Sequence, residues 1–328
     1  MSQFGIYISC HHADLRLARG CCESIRRFAG TVPICLIVDG DFSTRALERQ
    51  YGCQVIRRHD VRDPGLRERS FGGWGYSKFI LFWEGPFERF LYLDADTMML
   101  GDLPSLAPQG EADMVVHGSG ATVSDLTKID THWLHPPFLR QHFPEYRIEG
   151  RPYFVAGLFF ARKGLFDLDR YLGLLAMQRA NPKTSFHSGD QGIMNYLLFS
   201  SSDAGRLKYE VRHLQDCPLY KDRAWIDRLN ANLAAGGAWP DPPVMLHYID
   251  VKPSLLHTPA FRRLWDRGGG WAPEPGWSTA MNEMRVRSWQ RGGLPGPLAT
   301  ARVLAEDLRC HGEVFLQRWK KRRQATPG

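Results

Sequence analysis

The sequence lacks several features that would each declare a class of protein. None of its seven cysteines (Cys10, Cys21, Cys22, Cys35, Cys53, Cys217 and Cys310) belongs to a CxxC pair, and their number is odd. That pattern argues against a zinc ribbon and a disulfide framework, so a reducing, cytoplasmic setting is expected. No stretch approaches the roughly 20 continuous apolar residues of a membrane span. The opening "MSQFGIYISCHH" has neither the basic start nor the long apolar run of a secretory leader, and none is expected. Internal repeats and low-complexity tracts are missing too. Negative charge is in deficit: the net charge is +7, and "QRWKKRR" (317–323) supplies much of the excess. That run is short and no nucleic-acid-binding module accompanies it, so nucleic acid is not an expected partner.

What is present suits an α/β enzyme-sized domain. The 328 residues are 43% hydrophobic and 23% charged, enough for a sizeable core. "FGIYISC" (4–10) and "VPICLIVDG" (32–40) read as short buried strands. Between them Leu15, Ala18, Cys22 and Ile25 recur at helical spacing, which completes a βαβ unit and makes Cys21 and Cys22 small packing residues. "CQVIRR" (53–58), "RFLYLD" (89–94) and "ADMVVHG" (112–118) continue the strand series. "WGYSKFILFW" (74–83) suits a helix against a sheet, and "RPYFVAGLFFARK" (151–163) a buried strand pair or hairpin. Helices are expected over 165–179 and 189–199, and a last strand in "PVMLHYIDVKPS" (243–254). A Rossmann-like, mostly parallel sheet flanked by helices is therefore expected over 1–257. An accessory segment at 258–328 follows a Pro/Gly/Trp-rich break and carries a basic amphipathic helix over 298–323.

The chemistry concentrates first in "RFLYLDADTMML" (89–100). Strand residues alternate faces, so Asp94 and Asp96 share one face if extension continues through Ala95. Two adjacent carboxylates repel, and a hard cation such as Mn2+ or Mg2+ would offset the repulsion. Ligands of open parallel sheets bind beyond the carboxyl ends of strands, where this pair falls. A turn in which the two aspartates bond to nearby main chain is the plain alternative. Asp94-Ala95-Asp96-Thr97 also fits the D-x-D-x-T strand end of haloacid dehalogenase-type phosphatases, with Asp94 as nucleophile. That pattern ordinarily opens its domain, whereas here a βαβ unit comes first.

Four further segments point elsewhere. "FLYLDADTMML" together with "GYSKF", "YFVAGLFFARK", "GDQGIMNYL" and "LHYIDVKPS", in this order, resembles the GT-A-fold glycosyltransferases of family 8, the group of glycogenin and bacterial lipopolysaccharide galactosyltransferases. The resemblance covers about residues 4–257. It implies that Asp94 and Asp96 hold a divalent cation, Mn2+ or Mg2+, with His247 as third ligand. It further implies that Lys78, Asp94, Ala156, Gly157 and Lys252 contact the donor, and that Asp190 and Gln191 lie at the reacting sugar. Ser9, His11, His12 and Asp14, after the first strand, stand where the family holds the nucleotide base. The implied reaction is transfer of a sugar, with retention, from a nucleoside diphosphate sugar of the UDP kind to an acceptor hydroxyl.

Each of these residues also has a plain reading. His247 alone suits a hydrogen-bonded core histidine, Lys78 and Lys252 suit solvated lysines, and Asp190 suits the N-cap of the helix behind it. The family places Asn where Val155 stands, and valine offers no hydrogen bond. Glycine at 157 permits a close approach of ligand to backbone or marks a bulge. The loop after His247 also departs from the family pattern, at Asp250 and Ser254 and by one residue in length. The amphipathic pattern of 298–323 suits either an anionic membrane surface, with a glycolipid or saccharide acceptor, or packing on the domain. A non-catalytic sugar-nucleotide binder is the remaining alternative.

Overall fold

The computed structural model describes residues 4–72, 75–101, 111–182, 184–187, 189–217, 223–235 and 245–248. They all belong to one compact unit that ends at Ile249. The expected boundary at 257, the basic helix at 298–323 and Lys252 lie outside the described residues.

The first strand, β1 (Phe4–His11), is followed by α1 (Leu15–Phe28) and by β2 (Ile34–Asp39). Every residue of β2 is buried, as a central parallel strand covered on both faces requires. Ala18, Cys21, Cys22 and Ile25 give α1 its buried stripe, so the adjacent cysteines pack as expected. Next come α2 (Arg45–Tyr51), β3 (Gln54–Arg57) and α3 (Pro64–Arg69). β4 (Arg89–Asp94) pairs in parallel with β1, and Ser9 is registered beside Asp94. The short β5 (Thr97–Met99) leaves the main sheet, and β6 (Met114–His117), α4 (Leu126–His132) and α5 (Pro136–His142) follow. After them run β7 (Leu158–Arg162), α6 (Leu168–Ala180), α7 (Asp190–Asp203), β8 (Tyr209–Arg212), α8 (Arg223–Ala234) and β9 (Met245–His247).

The main sheet has seven strands in the order β3-β2-β1-β4-β7-β6-β8. Only β7 runs against its neighbours, so the sheet is mostly parallel, as the sequence pattern implies. β5 and β9 make a separate antiparallel pair, with Thr97 opposite His247. Among the described residues no helix is long and apolar enough to cross a membrane.

Two local expectations are corrected and a third is given its type. The helix expected within 74–83 is present as a 3-10 helix at Tyr76–Phe82. All seven of its residues are buried, and Gly75 starts it from a left-handed conformation at φ +73. Seven residues is long for a 3-10 helix, and burial on every side leaves it no solvent face. In the expected strand pair over 151–163, only Leu158–Arg162 is a strand. The buried Asn195 takes the place of a ladder partner for Phe154, accepting from its N–H at 3.1 Å and donating to its carbonyl at 2.9 Å. Finally, extension does not continue through Ala95: β4 ends at Asp94, and Ala95–Asp96 form a turn into β5.

Candidate metal and donor site

The turn brings the two carboxylates together by another route. β5 pairs with β9, and the Tyr248 N–H donates to the Asp96 carbonyl at 3.1 Å. On the other side of β9, the His247 N–H donates to the Asp216 carbonyl at 2.9 Å. His247 Nε2 consequently lies 3.1 Å from Asp96 Oδ1 and 3.7 Å from Asp94 Oδ2. One ligand atom from each of Asp94, Asp96 and His247 falls within a common 4.8 Å. Asp96 and His247 are 5% and 3% exposed, whereas the Asp94 side chain is 30% exposed and faces the open side of the group.

The donor set of two carboxylates and one imidazole fits a divalent cation of the Mn2+ or Mg2+ kind. An orphaned atom supports the fit. Gln215 Nε2 lies 3.1 Å from His247 Nδ1, while the buried Gln215 Oε1 has no hydrogen-bond partner among the described residues. Turning the amide over would let Gln215 Oε1 accept a hydrogen bond from the His247 Nδ1–H and leave His247 Nε2 unprotonated, which is the form a metal needs. Upstream, His117 Nδ1 accepts from the main chain of Leu214 and Gln215 at 3.1 and 3.4 Å. Burial, aided by the nearby His213 and His247, pushes the His117 imidazole down to about 3, so it stays a neutral acceptor there. Replacing Gln215 with Leu is expected to weaken cation binding about 10- to 100-fold, measured by calorimetry. Unchanged affinity would show that the amide does not orient the imidazole.

Gly157 is the floor of this group. A Cβ there would overlap the His247 ring and come within 2.7 Å of Asp94 Oδ2. The close approach of the clamp to the backbone, rather than a bulge, accounts for glycine at this position. Its carbonyl accepts from the Asp94 N–H at 2.9 Å. Gly157→Ala is therefore expected to weaken cation binding more than tenfold, again read by calorimetry, while the far end of the sheet is undisturbed.

Next to the clamp sits a second charge cluster. Lys78 is 3% exposed, not the solvated lysine its isolated sequence context allows. Its ammonium donates to Asp94 Oδ1 at 3.2 Å and to the Ala156 carbonyl at 3.0 Å, and lies 2.6 Å from Asp190 Oδ2. Those three partners match its three protons. Tyr92 flanks it, with the ring centroid 4.9 Å from Nζ and the hydroxyl donating to Asp94 Oδ1 at 2.5 Å. Burial alone would push the Lys78 ammonium down, but Asp190 and then Asp94 overcome it and hold it well above its usual range. Burial raises the Asp190 carboxyl; Lys78 opposes that rise and Asp94 adds to it, leaving it above its ordinary value.

Asp190 is not the N-cap. Gly189 occupies that position and Asp190 is the first residue of α7, with its carboxylate turned to Lys78. A Cβ on Gly75 would come within 2.9 Å of that carboxylate, so the left-handed glycine also makes room for it. Gln191 faces another way: its Nε2 donates to the His132 carbonyl at 3.0 Å. Val155 is half-buried between Phe154 and Ala156, on the segment that Asn195 anchors. At the end of β1, His11 is exposed and registered with Asp39, and Asp14 precedes α1 without capping it. They share with Ser9 the sheet end that carries Asp94.

Sequence reasoning passed over Tyr92, Asn195, Gln215 and His117. Tyr92 stands two residues before Asp94 on one strand face, a signal that period-2 alternation carries. Asn195 follows Gln191 at helical i+4 spacing, and its side chain reaches back to the Gln191 carbonyl at 2.9 Å. Nothing in the local sequence marks Gln215 or His117.

An open, mostly parallel sheet with a carboxylate–imidazole group beyond the end of a central strand defines a Rossmann-like α/β architecture. The particular form is the GT-A fold. The chain is similar in structure to the galactosyltransferase LgtC, solved in complex with donor and acceptor sugar analogs. The two are 17% identical with a TM-score of 0.50, over 84% of this chain and 99% of that one. Other similar structures are the glycosyltransferase GlyE of Streptococcus pneumoniae TIGR4 and the bifunctional glycosyltransferase WbbM. For GlyE the identity is 17% and the TM-score 0.47, over 88% of this chain. For WbbM the values are 15% and 0.46, over 81%. The chain spans 64% of the length of GlyE and 52% of WbbM. No protein-family model and no curated protein sequence matches it.

Proposed function

We propose that the chain is a metal-dependent glycosyltransferase that moves a sugar from a nucleoside diphosphate sugar, of the UDP kind, to an acceptor hydroxyl with retention. The observation that carries this reading is the convergence of Asp94, Asp96 and His247 at the carboxyl end of β4, beside the buried Lys78–Asp190 pair. A divalent cation held by the first three would supply positive charge against the donor diphosphate. Lys252 would add a second positive charge as the nucleoside diphosphate departs. Ser9, His11 and Asp14 would receive the base. Asp190 would accept from donor hydroxyls, and Gln191 would lie at the anomeric carbon once its amide leaves the His132 carbonyl. Lys78 and the main chain of Ala156 and Gly157 would line the sugar–diphosphate pocket, with Lys78 holding both carboxylates in place. Val155 removes one polar contact from that pocket, so the donor sugar is recognised there by shape.

A calorimetric screen of nucleoside diphosphate sugars with Mn2+, followed by an assay of donor hydrolysis, tests the reading. Cation-dependent binding of one donor together with slow hydrolysis is expected. Binding without hydrolysis or transfer to any hydroxyl would make the chain a non-catalytic sugar-nucleotide binder. Turnover of a simple aryl phosphate with no sugar nucleotide would favour the phosphatase chemistry instead. The basic amphipathic pattern of 298–323 supports a peripheral contact with anionic lipid and, with it, a glycolipid acceptor.

A further inference from the structure

A second group of metal-ligand residues lies apart from the carboxylate clamp. Asp130 is in the last turn of α4, His135 directly precedes α5, and His187 lies just before α7. His135 makes no capping bond to α5. Its Nδ1 instead faces Asp130 Oδ1 at 2.8 Å, and His187 Nε2 meets the same oxygen at 3.0 Å. A local bridge between Leu134 and Phe186 fixes this arrangement. The His135 N–H donates to the Ser185 carbonyl at 2.9 Å, and the His187 N–H to the Trp133 carbonyl at 2.8 Å. Leu134 and Phe186 are both fully buried in the core. Alternation along the two short extended pieces then puts His135 and His187 on one common face, opposite that core.

We propose that Asp130, His135 and His187 form a second cation site, selective for a borderline transition metal of the Zn2+ class. The ligand atoms lie within 4.8 Å of one another. Tetrahedral zinc with bonds of about 2.0–2.1 Å sets its ligands roughly 3.3 Å apart. The two hydrogen-bonded contacts need to open by only a few tenths of an ångström to reach that spacing. The side chains are 44%, 27% and 23% exposed in the order Asp130, His135, His187, so an ion reaches them from solvent. Two imidazoles and one carboxylate leave at least one position open to water or a ligand. That donor set also separates the two sites: two imidazoles suit zinc, whereas the carboxylate-rich clamp suits Mn2+ or Mg2+. The site adjoins the start of α7, because the Gly192 N–H donates to the His187 carbonyl at 3.2 Å and Gln191 bonds to the His132 carbonyl. A bound ion would tie the end of α4 to that start.

Zinc titration of the full chain, with the Asp96→Ala change to disable the clamp, tests this independently of any glycosyl transfer. One equivalent of Zn2+ is expected to remain in Asp96→Ala and to disappear in Asp96→Ala/His187→Gln, in which glutamine retains a polar group. A matching rise in Tm with Zn2+ is expected in the first variant alone. Circular dichroism checks that both variants are folded. For the unaltered chain, zinc-edge anomalous scattering from crystals should place an ion between Asp130, His135 and His187. No zinc equivalent in Asp96→Ala, retention of that equivalent after His187→Gln, or an anomalous peak elsewhere only, would overturn the proposal.

Discussion

Replacing Asp96 with Ala is expected to lower cation-dependent sugar transfer by about 10³-fold, or about 4 kcal/mol of transition-state stabilisation. Asp96 Oδ1 lies against His247 Nε2, and both side chains are buried, so bulk water does little to replace the lost charge. The loss should fall on kcat/KM with Mn2+ present and be matched by a loss of cation binding in calorimetry. A second readout separates this from unfolding. In the unaltered chain a hundredfold excess of cation over its Kd should add about 2.7 kcal/mol of stability, seen as a rise in Tm. The variant should keep its circular dichroism spectrum and lose that rise. Turnover near that of the unaltered chain would remove the metal-dependent mechanism altogether.

Lys78→Met is expected to cost about 3–5 kcal/mol of folding stability, the range for breaking a buried ion pair by removing one partner. One ammonium here serves two carboxylates and a carbonyl, Asp94, Asp190 and Ala156. Methionine keeps the bulk of the side chain and leaves both negative charges facing each other without a counter-ion. Urea unfolding should show a lower midpoint with an unchanged slope. Adding Asp190→Asn to the variant should recover part of the loss, because it removes one of the uncompensated carboxylates. A loss below about 1 kcal/mol would place the cluster with solvated surface pairs, against its burial.

Much of the fold was legible because its strands are runs that burial on both faces demands. "ICLIVD" and "RFLYLD" can lie in few places other than the middle of a sheet. The D-x-D pair and His247 were legible as residues, by their place in a series of motifs. Their geometry was not, since alternation along one strand put the carboxylates on a shared face and the chain turns at Ala95 instead. The helix at Tyr76–Phe82 was legible as a helix but not as a 3-10 helix, because a segment buried on every side has no period that separates one helix type from another. Phe154 was misread as a strand residue because Asn195, distant in sequence, supplies the hydrogen bonds a neighbouring strand would have made.

The sequence by itself determined the parallel core, the carboxylates at the tip of β4 and the residue types that can hold a cation or a diphosphate. Hydrophobic runs and short motifs act over a few residues, and such local patterns survive in a one-dimensional reading. Only the tertiary structure decided that β9 returns beside β5 to set His247 against Asp94 and Asp96, and that Lys78 is a buried counter-ion. It alone joined Asp130 to His135 and His187. Those outcomes depend on which distant segments pack together, where the loss of solvent turns ordinary polar side chains into a charged site.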